Sequence, residues 1–124
     1  MDNEKNRIRV LKIEPGIVPY VKEISNDLEG SQAEVLGMID CMGFEDGCIA
    51  VVNDEGKLNE MEPNRRYRDD IICGPFFICG NSEEGEFISL TEEQIEKYST
   101  QFGEIPEFTG HEPELKPRMT FMTF

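Results

Sequence analysis

Basic residues are scarce in this chain of 124 residues: 12 Lys and Arg stand against 26 Asp and Glu, histidine occurs once, and the formal charge is −14. That deficit excludes sequence-independent binding to DNA or RNA, which depends on Lys and Arg releasing counterions from phosphates. No apolar run approaches the ~20 residues needed to cross a bilayer. The opening Met1–Lys5 lacks the apolar segment of a signal peptide, so the expected address is cytoplasmic, with no membrane partner. Also missing are a glycine-rich phosphate loop, a His-Glu pair of metalloprotease spacing and a Ser or Cys in a nucleophile elbow. His111, the one imidazole, sits in a tail rich in Pro and Glu, where a solvated role is expected. Carboxylate pairs such as Glu45–Asp46, Asp69–Asp70 and Glu83–Glu84 follow from an acidic composition. The chain therefore reads as no enzyme, with no catalytic residue and no cofactor.

The four cysteines do not form a metal framework. Cys41, Cys48, Cys73 and Cys79 each lie in or beside an apolar run, where reduced cysteine behaves as a small hydrophobe. Their spacing fits no zinc knuckle, and only one histidine is present to complete a set. No metal site is expected.

Enough apolar material is present for a core. The hydrophobic share is 38%, with eight Phe and three Tyr, too rich for a disordered acidic tail. Residues 1–124 read as a single domain, with its core at about 7–103 and a Pro-rich acidic tail over 104–124. The tail's last residues, Met119–Phe124, alternate apolar and polar and suit a strand.

Arg7–Glu14 mixes alternation with a short apolar run, Pro15-Gly16 supplies a type II turn, and Val18–Ile24 alternates again; together these predict a β-hairpin. Asn26 or Asp27 caps a short first helix, with Glu29 in capping-box register to Asn26 and with Leu28, Val35 and Leu36 on one face. Strands follow at Met38–Met42 and Cys48–Asn53 around the acidic loop Phe44–Gly47, then a turn at Asp54–Lys57. Ile71–Cys79 is the most apolar stretch, and Pro75 either splits it or consigns it to an edge. A second helix begins at Thr91: Gln94 completes a capping box, Leu90 and Ile95 form a hydrophobic staple, and Ile95, Tyr98 and Phe102 share a face before Gly103. There is no repeat and no linker. The order predicts an α+β fold, a mostly antiparallel sheet with an N-terminal β-hairpin and two helices.

Charge is unevenly spread. The one net-basic stretch, Pro63–Ser82, carries Arg65, Arg66 and Arg68. These arginines either pair with surrounding carboxylates or, with Asn64, fork onto an anionic ligand. Asn64, Arg65 and Arg68 are the candidate ligand-binding residues. The acidic surplus is concentrated in Glu83, Glu84, Glu86, Glu92, Glu93 and Glu96, the candidate partner-binding surface. Arrayed carboxylates there imitate the phosphates of duplex DNA and suit the basic groove of a nucleic-acid enzyme.

Several motifs in order resemble the uncharacterised domain-of-unknown-function 3846 family: Val10–Gly16 followed by Pro19–Ile24, then Asn53–Asn59, Asn64-Arg65 with Arg68-Asp69, Phe76–Gly80, and Leu90–Tyr98. The resemblance runs from about Arg9 to Phe102 and departs from the family pattern at Gly74-Pro75. Family members occur in gut Firmicutes, on conjugative elements and in phages, often near antirestriction-type genes. The resemblance thus implies a mobile-element accessory protein and names no active site. Three functional expectations follow. The first is an inhibitor of a host defence component, of anti-CRISPR or antirestriction type, binding a host protein with a basic surface. The second is a small-molecule binder, such as a nucleotide-signal sponge, using the Arg65–Arg68 segment. The third is a structural module that oligomerises through an Ile71–Cys79 edge.

Overall fold

A computed structural model describes residues 6–116. Strands β1 (Arg7–Ile13) and β2 (Tyr20–Ser25) form the expected hairpin, pairing from Arg7 with Ser25 to Lys12 with Tyr20. Gly16 takes φ 78° and the Ile17 N–H donates to the Glu14 carbonyl at 3.3 Å, the type II geometry that Pro15-Gly16 favours.

Helix α1 (Leu28–Val35) is capped by Asp27, whose side chain accepts from the Gly30 N–H at 2.7 Å. Asp27 rather than Asn26 is thus the cap, and no capping box forms, because the third helical residue is glycine. The expected apolar face is also corrected. Val35 is buried, but Leu28 and Leu36 are 60% and 65% exposed. Leu36 ends the helix in a left-handed conformation with φ 66°, which turns its side chain off the helical face. Gly30, an unfavourable residue mid-helix, is required there: a Cβ would stand 2.3 Å from the Ser25 carbonyl oxygen.

Strands β3 (Ile39–Gly43) and β4 (Ile49–Asn53) pair as expected. The next stretch holds a hairpin that the sequence did not announce, β5 (Pro63–Tyr67) with β6 (Asp70–Cys73), turning at Arg68 with φ 57°. Gly74, with φ 87°, and Pro75 split the apolar stretch, and β7 (Phe76–Asn81) follows. The β7 strand lies at the centre of the sheet, whose order is β2-β1-β7-β4-β3, with β8 (Phe87–Ile88) paired to the end of β7. The Phe76–Cys79 half of the apolar stretch is therefore interior to the sheet, whereas its Ile71–Cys73 half, in β6, pairs with β5 alone. Helix α2 (Glu92–Gln101) carries the full Thr91–Gln94 capping box. Gly103 follows its last turn because a Cβ would meet the Ser99 carbonyl at 2.6 Å. A single 3-10 turn, Pro113–Leu115, closes the described tail. The alternation at Met119–Phe124 lies outside the described residues.

Both faces of the sheet are covered, which explains why β4 and β7 are buried along nearly their whole length instead of alternating. On one face Leu11, Ile13, Ala50, Val52, Phe76 and Ile78 pack against Ile72 of β6, Tyr98 of α2 and the residues flanking that helix, Leu90 and Phe102. On the other, Ile8, Val10, Val51, Phe77 and Cys79 meet Ile24 and Val35. The staple residues Leu90 and Ile95 join the first core, as expected. Phe44 bridges into that core through ring contacts to Tyr98 at 4.7 Å and Tyr67 at 5.2 Å.

Candidate functional site

The arginine-bearing segment folds as β5 and its turn. A register shift between Pro63 and Arg65 interrupts the inward–outward alternation, so two successive side chains, Asn64 and Arg65, are both buried, at 1% and 2% exposure. Asn64 Nδ2 donates to the carbonyls of Ile13 and Gly74, each at 2.9 Å. Arg65 Nε donates to Phe102 O at 2.8 Å, Nη2 to Ile17 O at 2.7 Å, and Nη1 to Asn64 O and Oδ1 at 3.1 and 2.9 Å. Burial lowers the guanidinium pKa, and its hydrogen-bond partners are neutral oxygens. The pair thus clasps the end of β1, the β1–β2 turn, Gly74 and the last turn of α2, where a cation also complements the helix dipole.

Asn64, Arg65 and Arg68 do not converge on a concavity. Arg68 lies on the exposed turn with its guanidinium 5.0 Å from the Tyr67 ring. Arg66, between them, pairs with Glu114 at 3.5 Å and lies over Phe108. Asn64 and Arg65 are structural, and the anion-binding arrangement has lost its principal donor.

The acidic candidates are exposed. Glu83 and Glu84 sit on the β7–β8 turn with Glu86 beside them, held by Gly85 N–H to Ser82 O at 2.9 Å and Glu86 N–H to Ser82 Oγ at 3.0 Å. Glu92, Glu93 and Glu96 project from α2; Glu92 is engaged by Arg9 at 2.9 Å. Most of the bases elsewhere in the described residues are similarly occupied. Lys12 and Lys22 share Glu34 at 2.6 and 3.0 Å, Arg7 pairs with Glu23, Lys57 with Asp70, and Lys97 with Asp46. Among the described residues, Glu83, Glu84, Glu86, Glu93 and Glu96 make no ion pair.

Asp46 comes nearest to a reactive cluster. It accepts from Tyr98 Oη at 2.7 Å, Lys97 Nζ at 3.1 Å and the Cys48 N–H at 3.0 Å. Partial burial pushes its pKa up, but these hydrogen bonds outweigh burial and hold it at about 2. Burial and the Asp46 charge push the Cys48 thiol up to about 11, and burial with the bond to Asp46 raises Tyr98. The carboxylate is thus held in its charged form and the thiol and phenol in their neutral forms. Cys48, Cys73 and Cys79 are buried and free, whereas Cys41 is exposed on β3, outside the core role expected of it.

A cleft of about 430 Å³ opens between β3–β4 and the β5–β6 hairpin. Met42, Val52, Leu58 and Ile72 supply its apolar lining, and Asp40, Asp54 and Glu55 line it with the paired Lys57 and Asp70. No helix among the described residues is long and apolar enough to cross a membrane. An antiparallel five-strand sheet with β8 appended, covered by a helix on each face and clasped by a buried asparagine–arginine pair, defines a small α+β domain. The chain belongs to the family described as Domain of unknown function (DUF3846), whose profile matches residues 8–103. No curated protein and no solved structure matches it.

Proposed function

We propose that this protein is a non-enzymatic acidic accessory protein of a phage or mobile element that docks onto a basic surface of a host defence protein, a CRISPR or restriction nuclease, and blocks it. One observation carries the reading: among the described residues seven of the ten Lys and Arg are already paired with carboxylates, while the surplus carboxylates Glu83, Glu84, Glu86, Glu93 and Glu96 of the β7–β8 turn and α2 present unbalanced negative charge. Charge left uncompensated on one partner speeds association with an oppositely charged groove and makes the complex salt-sensitive. The genomic company of the family, beside antirestriction-type genes, supports the choice of target.

The test is DNA cleavage by purified restriction and CRISPR nucleases with and without the protein at low and high salt. Inhibition is expected at low salt, weakening as salt rises, and weaker again when Glu83, Glu84, Glu93 and Glu96 are changed to Gln. No inhibition of any nuclease, together with no complex in a direct pull-down, defeats the reading.

A further inference from the structure

The open edge of β3 borders the acidic cleft, and the hydrogen-bond parity of the strand shows which backbone groups face outward. Phe44 N–H donates to Cys48 O and Asp54 N–H donates to Met38 O, both at 2.8 Å. In the β3–β4 register these even-numbered positions are the hydrogen-bonded pairs. Ile39, Cys41 and Gly43 therefore turn their N–H and C=O groups away from β4. No strand among the described residues pairs with that side. The Cys41 N–H is met instead by the Asp40 carboxylate of its own strand, at 2.9 Å.

Asp40 and Met42 point to the cleft face of the sheet, and both line the cleft. A residue added opposite Asp40 would lie on the same face, about 4.5–5.5 Å away between Cβ atoms, and one two positions along would lie opposite Met42. The first position faces Asp40, with Asp54 and Glu55 on the cleft wall; none of these three pairs with a described base, and Lys57 is already held by Asp70. The second faces the apolar lining. We propose that an extended segment of a partner protein adds to β3 as a further antiparallel or parallel strand, placing a Lys or Arg beside Asp40 and an apolar side chain beside Met42. Main-chain hydrogen bonds supply affinity in this mode and the alternate side chains supply specificity. The incoming strand takes over the Cys41 N–H and frees the Asp40 carboxylate to meet the new cation. Charge selects this occupant over a second copy of the chain, which would bring its own Asp40, Asp54 and Glu55 against the same carboxylates at a net charge of −14 per molecule. The inference rests on the proposed basic partner and deepens it by naming the contact.

The probes are blocked heptapeptides: Thr-Val-Thr-Arg-Thr-Val-Thr, its counterpart with Glu in place of Arg, and the Arg peptide N-methylated at alternate residues. Amide hydrogen exchange reads the site directly. Binding of the Arg peptide is expected to slow exchange at Ile39, Cys41 and Gly43 by roughly tenfold or more, while Asp40 and Met42, already bonded to β4, change little. Asp40→Lys, and Cys41→Pro, which takes away an outward N–H while every β3–β4 hydrogen bond keeps its donor, are each expected to weaken peptide binding by about tenfold, the free-energy equivalent of a lost charge or strand contact; an unchanged circular dichroism spectrum shows that the sheet is intact. Equal binding of the Glu or N-methylated peptide, no protection of the outward amides, or protection without peptide accompanied by dimer in sedimentation overturns the proposal. A nuclease bound with undiminished affinity by the Asp40→Lys and Cys41→Pro variants also overturns it and leaves the acidic-surface function standing. No nuclease bound by the wild type removes that function, and the peptide result still judges the β3 edge.

Discussion

Arg65 and Arg68 lie on one short segment and behave oppositely. Replacing Arg65 by Ala leaves the carbonyls of Phe102 and Ile17 without their donors and opens a hole beside Asn64, so a loss of about 3 kcal/mol or more is expected. Arg65→Lys cannot reproduce the forked geometry and recovers little of it. Arg68→Gly relieves a left-handed non-glycine residue at φ 57° and is expected to gain about 0.5–1 kcal/mol. Urea denaturation of the three variants checks all of this, and equal midpoints for wild type and Arg65→Ala would refute the clasp. The sequence placed these arginines in its one basic stretch but could not reveal their directions. Direction was set by the register shift after Pro63, which buries Asn64 and Arg65 together. A bulge is a pairing property, and a single strand read alone carries no trace of its partner's register.

Among the elements, α2 was legible in full because its signals are local: Thr91 and Gln94 form the cap within one turn, and Tyr98 and Phe102 recur on one face. The first helix was legible only at its start. Its apolar residues suggested a face, yet Val35 alone of the three is buried, since Leu28 is on the first turn and Leu36 lies past the last. Gly30 makes the same point quantitatively. Helix propensity favours Gly30→Ala by about 1 kcal/mol, but the added methyl collides with the backbone of Ser25. A net loss of at least about 1 kcal/mol is expected, read from the shift in urea midpoint. The β5 strand escaped notice for a related reason: it begins with Pro and carries Asn and Arg inward, inverting the pattern by which strands are recognised. The open edge of β3 was equally illegible, since an edge exists only once the strand order is known.

At the scale of the whole molecule, the acidic groups divide into those that hold the fold together and those that only charge its surface. Asp46 belongs to the first kind, linking the β3–β4 loop to α2, as does Glu34 between Lys12 and Lys22. Burial works against the charged form of both, but hydrogen bonds and the lysines outweigh it and depress both pKa values. A depressed carboxylate contributes stability that is complete above its unfolded value and is lost as pH falls through the folded one. The melting temperature is therefore expected to drop as pH falls from about 4 towards 2, the interval between the ordinary value of 3.8 for Asp46 and its native value of about 2. Asp46→Asn is expected to melt lower at neutral pH and to lose less over that interval; parallel acid limbs in thermal scans of the two proteins would refute the assignment.

The central position of β7 has a consequence for how the chain is made. The β1–β2 and β3–β4 hairpins are each complete early in synthesis, yet they touch in the sheet only through β7, which pairs with β1 on one side and β4 on the other. Until Asn81 has cleared the ribosome, the nascent chain holds three separate hairpins, β1–β2, β3–β4 and β5–β6, with the strand that joins the first two still missing. Closure is thus a late, single event set by long-range contacts, with the associated penalty in folding speed. A message or peptide cut short before Phe76 yields three sticky ribbons in place of a smaller version of the domain.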